Sequence, residues 1–122
     1  MKLVTFSDNG REQLGILVNN NIYATTAVNS AFPATMTDLL QNWEKHIDAL
    51  KAADNDIKNG NTSVPSVPFA SAHILAPVPR PSSCRDGYAF RQHVAAARRN
   101  RKVDMIAEFD QYPIFYFTNH NA

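Results

Sequence analysis

Asp86 and His93 are the two residues whose types and spacing could do chemistry, within the stretch "CRDGYAFRQHVAAARRNRK". Seven helical steps of roughly 100° return to nearly the same face, so on a helix both side chains could point at one object. A carboxylate suits a hard cation such as Mg²⁺ or Ca²⁺, and a nearby histidine can act as a general base on water. From spacing alone, the commoner arrangement is that Asp86 only caps a helix and His93 is a half-buried polar residue.

A block of positive charge follows, made of Arg91, Arg98, Arg99, Arg101 and Lys102. On a helix these residues spread over more than one face, and the aromatic residues nearby do not alternate with them as a base-stacking platform requires. We therefore expect no nucleic acid partner. A solvated face and a site for an anionic substrate both stay open, since the arginine fork can hold a carboxylate.

The tyrosines near this block could hold substrate oxygen atoms through their hydroxyl groups, although buried tyrosines more often satisfy a backbone carbonyl. They are Tyr88, Tyr112 and Tyr116. The remaining histidines, His46, His73 and His120, receive no chemical role.

Composition limits the class of protein. The 122 residues suit one modest core, and 12 Lys and Arg against 11 Asp and Glu leave no overall field for nucleic acid or an anionic membrane. The single cysteine, Cys84, cannot form an internal disulfide, which fits a reducing compartment. The N-terminus turns polar too early for a signal peptide, and no run is long enough to span a bilayer. We expect a soluble, cytoplasmic protein with no membrane partner.

The first half of the chain predicts a small sheet followed by a helix. The runs "KLVTF", "LGILV" and "NIYAT" are separated by the turn-favouring "SDNG" and "NNN", which indicates an antiparallel meander. The stretch "TMTDLLQNWEKHIDALKAA" has apolar residues at helical spacing, with Thr35 and Asp38 placed as a capping box. We predict one amphipathic helix there, and an exposed connection over 54–67.

The second half begins with a Pro-rich strap, "ILAPVPRPSS", whose prolines forbid helix. After it, "DGYAFRQHVAAARRN" predicts a helix that Asp86 caps. The chain ends soon after "IFYF", an aromatic strand that needs a neighbour, so we expect it to be the front part of something longer.

These motifs together resemble a known family. The run "APVPRPSSCRDGYAFRQHVAAARRNRKVDMIAEFDQYPIFYFTNHNA" is similar to the N-terminal part of longer bacterial members of the fumarylacetoacetate hydrolase family. In those proteins a Pro-rich strap leads to an R-D-F-Y-A-F-x-Q-H-V motif, an Arg-rich helix and P-x-F-Y-F-x-N. The opening "MKLVTF" and the "TMTDLLQNW" helix are similar to the same proteins.

The resemblance implies a function and roles. Family members split a carbon–carbon bond in β-diketo acids, such as fumarylacetoacetate or acylpyruvates, or perform related chemistry, with Mg²⁺ or Ca²⁺ chelating the substrate's oxygens. By analogy Asp86 is a metal ligand and His93 the base that activates the attacking water. Tyr88 and Tyr116 fall on substrate-contacting tyrosines, and Arg101 is a candidate for binding the substrate carboxylate.

Two departures limit what this chain can do alone. Gly87 stands where the family usually has Phe, which predicts a more flexible start to the second helix. The family's other ligands, a Glu-x-Glu pair and a later Asp, belong to a β-rich catalytic domain, and no Glu-x-Glu occurs here. One aspartate cannot hold Mg²⁺ or Ca²⁺ usefully in water. We therefore expect the isolated chain to be inactive and to bind no metal tightly.

The predicted fold class is α+β: a small N-terminal antiparallel sheet packed with two helices, ending in a strand that leads into a missing β-rich catalytic domain. The predicted domains are 1–76, the N-terminal α+β part, and 77–122, the strap, helix and strand that begin the catalytic region. The alternative function is a non-catalytic interaction module. It would associate with itself or with a full-length relative through the exposed C-terminal strand, and we expect a homo-oligomer.

Overall fold

The computed structural model describes residues 1–112 and 114–118. Two positions of the family motif, Pro113 and Asn119, and also His120, lie outside the described residues. The chain divides into two compact units, here called the N-terminal unit, Met1–Arg80, and the C-terminal unit, Pro81–Ala122.

The N-terminal unit opens with the predicted antiparallel meander, which is confirmed. Its strands are β1 (Leu3–Asp8), β2 (Arg11–Val18) and β3 (Asn21–Ala24). Two-residue turns join them at Asn9–Gly10 and at Asn19–Asn20, and all four turn residues have positive φ. Turns with two left-handed central residues match the twist of paired strands, and Asn and Gly tolerate that conformation best. The turn chemistry therefore sets the register of the meander.

Two short strands complete this sheet from later in the chain. After helices α1 to α3, given below, come β4 (Val67–Pro68), a 3₁₀ turn (Phe69–Ser71) and β5 (His73–Ile74). The strand order is β4-β3-β2-β1-β5, and every neighbouring pair is antiparallel. With helices packed on this sheet, the predicted α+β class is confirmed.

The predicted long helix is two helices. A short α1 (Thr25–Val28) precedes α2 (Met36–Gln41) and α3 (Trp43–Lys58). The break falls at Asn42, whose φ of −126° and ψ of 32° are not helical. The prediction of one uninterrupted helix was therefore wrong. It relied on the apolar spacing, which continues across Asn42 although the backbone leaves the helical conformation there.

The start of α2 shows the predicted cap. The Asp38 amide donates to Thr35 Oγ1 at 3.1 Å, and the Thr35 hydroxyl donates to Asp38 Oδ2 at 2.7 Å. A hydroxyl at this position satisfies one of the amide groups that a helix start leaves without a partner. The predicted N-cap is therefore confirmed, although Asp38 accepts from the Thr35 hydroxyl and not from the Thr35 amide that a capping box uses.

The predicted exposed connection from residue 54 was wrong over its first part, because α3 continues to Lys58. Asp54 is only 3% exposed, with Lys58 Nζ at 2.6 Å and the Met1 amino group at 3.6 Å from its Oδ2. Leu50, Asp54 and Ile57 form one buried stripe of the helix. Asp54 can be buried because two cations offset the cost of removing its carboxylate from water. The sequence pattern did not indicate this stripe, because an aspartate is normally expected on the exposed face.

The core of the N-terminal unit joins β2 to the helices. Its members are large apolar side chains: Leu14, Ile16, Val18, Phe32, Met36, Leu39, Leu50 and Ile57. The strap begins against this unit, since the Thr5 hydroxyl donates to the Pro77 carbonyl at 2.7 Å and Val78 packs on the core. The Pro-rich segment contains no helix, as its prolines predict.

The C-terminal unit contains β6 (Cys84–Gly87), α4 (Arg91–Asn100), a 3₁₀ segment (Ala107–Asp110) and β7 (Phe115–Thr118). Strands β6 and β7 pair antiparallel and form a two-stranded ribbon, so the predicted aromatic strand is confirmed and its neighbour lies upstream. The helix predicted to start at Asp86 begins only at Arg91. The residues before it are taken into the ribbon, where β7 satisfies their backbone groups.

No helix among the described residues is long and apolar enough to cross a membrane.

Candidate active site

Asp86 lies on strand β6 and pairs across the ribbon with another predicted site residue, Tyr116. The two residues are directly opposite each other in the ribbon. Side chains of an opposed pair lie on the same face, with Cβ atoms roughly 4.5–5.5 Å apart. The argument that Asp86 and His93 share a helical face was therefore wrong. Strand pairing, and not helical spacing, positions the Asp86 carboxylate, and this pairing places the carboxylate beside the phenol of Tyr116.

Tyr88 continues the same face of the ribbon. Its amide donates to the Ile114 carbonyl at 3.0 Å, which extends the β6–β7 ladder by one pair. Successive side chains of a strand alternate between faces, so Tyr88 and Asp86, two residues apart, lie on one side. Together with Tyr116 they form a row of one carboxylate and two phenols.

The opposite face of the ribbon is aromatic and cationic. The Arg85 guanidinium lies 5.0 Å from the Phe117 ring centre and 5.5 Å from that of Phe115. The two rings meet edge to face at 5.2 Å. These contacts are cation–π and aromatic interactions that hold the ribbon strands in register. The row of Asp86, Tyr88 and Tyr116 therefore lies on one face of the ribbon, and the aromatic residues Phe115 and Phe117 lie on the other.

Tyr88 also connects the ribbon to α4. Its ring meets the His93 ring edge to face, with centres 6.2 Å apart, and Arg101 Nη2 donates to its hydroxyl at 3.4 Å. His93 lies in the first turn of α4 and Arg101 directly follows the helix. Both ends of α4 therefore reach the same phenol, which brings three of the predicted site residues together.

An ion pair fixes the segment beside Tyr88. Arg91 binds Asp110 through two nitrogens, with Nε at 2.9 Å from Oδ1 and Nη2 at 3.2 Å from Oδ2. The hydrogen bond that Arg91 donates to Asp110, and then the charge of Asp110, raise the pKa of Arg91 above its ordinary value. This pair ties α4 to the 3₁₀ segment that carries Phe109, whose ring meets Tyr88 edge to face at 6.2 Å.

The face is open to solvent. Asp86, His93 and Arg101 are exposed, and Tyr116 is 67% exposed. Within 1–112 and 114–118, no three His, Cys, Asp or Glu side chains lie together as a metal-binding group. Asp86 is an oxygen donor of the kind that Mg²⁺ and Ca²⁺ prefer, but such ions require several of them. On this face Asp86 is a single carboxylate, which is fewer oxygen donors than either ion requires.

The sequence reasoning missed Phe109 and Asp110 as neighbours of the site, and it misplaced Gly87. Gly87 lies in β6 opposite Phe115, so it does not loosen a helix start as we predicted. One signal was present in the sequence: the run "IFYF", with three aromatic residues, requires a pairing partner, and "CRDG" is the extended segment that provides it.

The N-terminal unit decides the family. Residues 1–80 match the family model described as fumarylacetoacetase N-terminal domain 2. The chain belongs to this family. The predicted identity as an N-terminal part of a fumarylacetoacetate hydrolase family protein is thereby confirmed. No curated protein matches the chain.

The fumarylacetoacetase N-terminal domain match ends at Arg80, where the N-terminal unit also ends. All five predicted site residues follow this point, on the C-terminal unit. Their roles therefore stay predictions, supported by where the structure places them.

Proposed function

We propose that this fumarylacetoacetase-family chain supplies the front part of a metal-dependent hydrolase active site. The reaction is hydrolytic cleavage of a carbon–carbon bond in a β-diketo acid such as fumarylacetoacetate or an acylpyruvate. The observation that carries the proposal is the grouping around one phenol: Asp86 and Tyr116 share the ribbon face of Tyr88, while His93 and Arg101 contact Tyr88 itself.

Each residue has a role that its chemistry supports. Arg101 pairs with the substrate carboxylate through its planar fork, and the hydroxyls of Tyr88 and Tyr116 donate hydrogen bonds to substrate oxygens. His93 takes a proton from the attacking water as a general base. Asp86 would hold Mg²⁺ or Ca²⁺ together with further ligands, and the ion would supply Lewis-acid polarisation of the substrate's carbonyl oxygens.

This arrangement predicts that the chain depends on further ligands. A single exposed carboxylate does not replace the hydration shell of a hard cation, so additional carboxylates must come from a further domain or a partner. We expect the isolated chain to hydrolyse acylpyruvates far below typical enzyme rates, which are on the order of 1 to 1000 per second.

The metal role of Asp86 can be tested on the chain itself with Mn²⁺, a paramagnetic ion that carboxylates also bind. During a Mn²⁺ titration followed by ¹⁵N NMR, the amide signals of Asp86 and Tyr116 should broaden first. Asp86→Asn should abolish that broadening, while Asp104→Asn, which removes the same charge from an exposed site in the same unit, should leave it unchanged. Broadening centred elsewhere, or unchanged in Asp86→Asn, would refute the assignment.

A second candidate function is an interaction module, which the exposure of β7 favours. Phe115, Tyr116 and Phe117 are 40%, 67% and 71% exposed. Across the described ranges the ribbon has only two strands, so each has an edge that pairs with nothing there. This function predicts that the chain forms homo-oligomers through β7. Size-exclusion chromatography with light scattering should show mass rising with concentration, and a constant monomer would argue against this function.

A further inference from the structure

An apolar cavity of about 370 Å³ lies in the C-terminal unit beside Tyr88. Aromatic and aliphatic side chains form most of its wall: Phe109, Tyr112, Ile114 and Phe115. Two of these, Tyr112 and Phe115, are 64% and 40% exposed, so the cavity opens to solvent. None of these four residues has a role in the proposed chemistry.

Tyr88 belongs to both the cavity and the candidate site. One neighbour of its ring is His93 and another is Phe109, each in an edge-to-face contact with centres 6.2 Å apart. Its hydroxyl receives the hydrogen bond from Arg101 at 3.4 Å. A ligand lying along this phenol would therefore have charged and polar groups at one end and apolar walls at the other.

We propose that the cavity binds the apolar acyl end of the β-diketo acid, and that Phe109 and Tyr112 select aryl or longer alkyl acyl groups over acetyl. This inference rests on the proposed function and names the substrate class within it. The volume is sufficient: a protein cavity of about 150 Å³ accommodates benzene, and this one has about 370 Å³.

Gly87 contributes space to the cavity. It lines the wall without a side chain, and a Cβ built there has the Ala89 Cβ, at 4.0 Å, as its nearest neighbour. The backbone has no positive φ that would require glycine. A larger residue at this position can therefore be introduced without strain, and it is expected to fill part of the cavity.

The test compares two probes on the full chain by ¹⁵N NMR titration: benzoylpyruvate, with an aryl acyl group, and acetylpyruvate, with the smallest one. Because even one methylene group in an apolar pocket changes affinity roughly 10- to 200-fold, benzoylpyruvate should bind at least about tenfold more tightly. The amide signals of Phe109 and Ile114 should shift with it. Equal affinities, or no shift of these signals up to about 10 mM probe, would overturn the proposal.

Variants of the cavity residues test whether the preference for benzoylpyruvate over acetylpyruvate arises in the cavity. Phe109→Ala removes a wall and Gly87→Phe occupies the space, and both should bring the two affinities close to equal. Tyr112→Ala, at a side chain exposed enough to be replaced without unfolding, should reduce the preference as well. The control is Phe90→Ala, a phenylalanine of the same unit that is 78% exposed and is not among the residues lining the cavity, which should retain it. Loss of preference in Phe90→Ala would contradict the assignment, since the effect would then not be specific to the cavity wall.

Arg101→Ala separates this inference from the proposed function. If Arg101 holds the carboxylate, both probes should bind more weakly by the same factor, with the preference unchanged. A preference that depends on Phe109 but not on Arg101 would support the cavity and refute the carboxylate role. Equal weakening in Arg101→Ala without any preference would support the carboxylate role and refute the cavity.

Discussion

Replacing Gly87 with Phe should stabilise the β6–β7 ribbon. A glycine within a strand costs roughly 0.5–1 kcal/mol relative to alanine, because more backbone entropy is lost on folding. An aromatic side chain opposite Phe115 adds roughly 0.2–1 kcal/mol through cross-strand packing. The position has space for it, since a Cβ at Gly87 meets only the Ala89 Cβ at 4.0 Å. The sum is a gain of roughly 0.7–2 kcal/mol.

Hydrogen exchange of the Tyr88 amide measures this gain, because that amide donates to Ile114 across the ribbon at 3.0 Å. At about 1.4 kcal/mol per factor of ten, exchange should slow roughly 3- to 30-fold in Gly87→Phe. Gly87→Ala isolates the entropy contribution and should slow it only roughly 2- to 5-fold. Unchanged or faster exchange in Gly87→Phe would refute the reasoning, since it would mean that the ribbon needs glycine at this position.

Other predictions concern the scaffold. Thr35→Ala removes the cap of α2 and should cost about 1 kcal/mol in urea unfolding followed by Trp43 fluorescence; no loss would mean that the capping bonds contribute nothing. Gly15→Ala places a methyl group against Ile22 and should cost roughly 1–3 kcal/mol in the same assay, and a cost below about 0.5 kcal/mol would contradict the close packing. Because Asp110 raises the pKa of Arg91, this pair's contribution is present below the ordinary arginine pKa and is lost only as pH rises through the raised value. Asp110→Asn removes the charge that Arg91 pairs with and should loosen the packing of Phe109 on Tyr88, so the Tyr88 side-chain chemical shifts should change at neutral pH, and unchanged shifts would refute this role of the pair.

Local features of the fold were predictable because neighbouring residues determine them. The turns at Asn9–Gly10 and Asn19–Asn20 and the cap at Thr35 each follow from side chains within three positions of one another. The break at Asn42 was not predictable from spacing, because the apolar pattern continues through it. The helical extension past Asp54 depends on the amino group of Met1 as well as on Lys58, and the first lies far away in the sequence.

The candidate site shows the same division. Its residue types were identified from motifs. Asp86 and Tyr116 share the ribbon face of Tyr88, and His93 and Arg101 contact Tyr88 itself. The geometry was predicted incorrectly, since helical spacing was assumed where Asp86 is on a strand. A short stretch such as "CRDGYAF" has no strong preference of its own, so its conformation depends on whether a second strand is available.

By itself the sequence determined the turns of the meander, the cap and the residue types of the candidate site. These depend on local backbone preferences and on side-chain chemistry, which require no distant partner. Only the tertiary structure decided that Asp86 faces Tyr116, that Tyr88 contacts His93, and that a cavity lies beside it. Those relations arise from pairing β6 with β7, segments about thirty residues apart, and such long-range pairing depends on which backbone groups find partners in the folded chain.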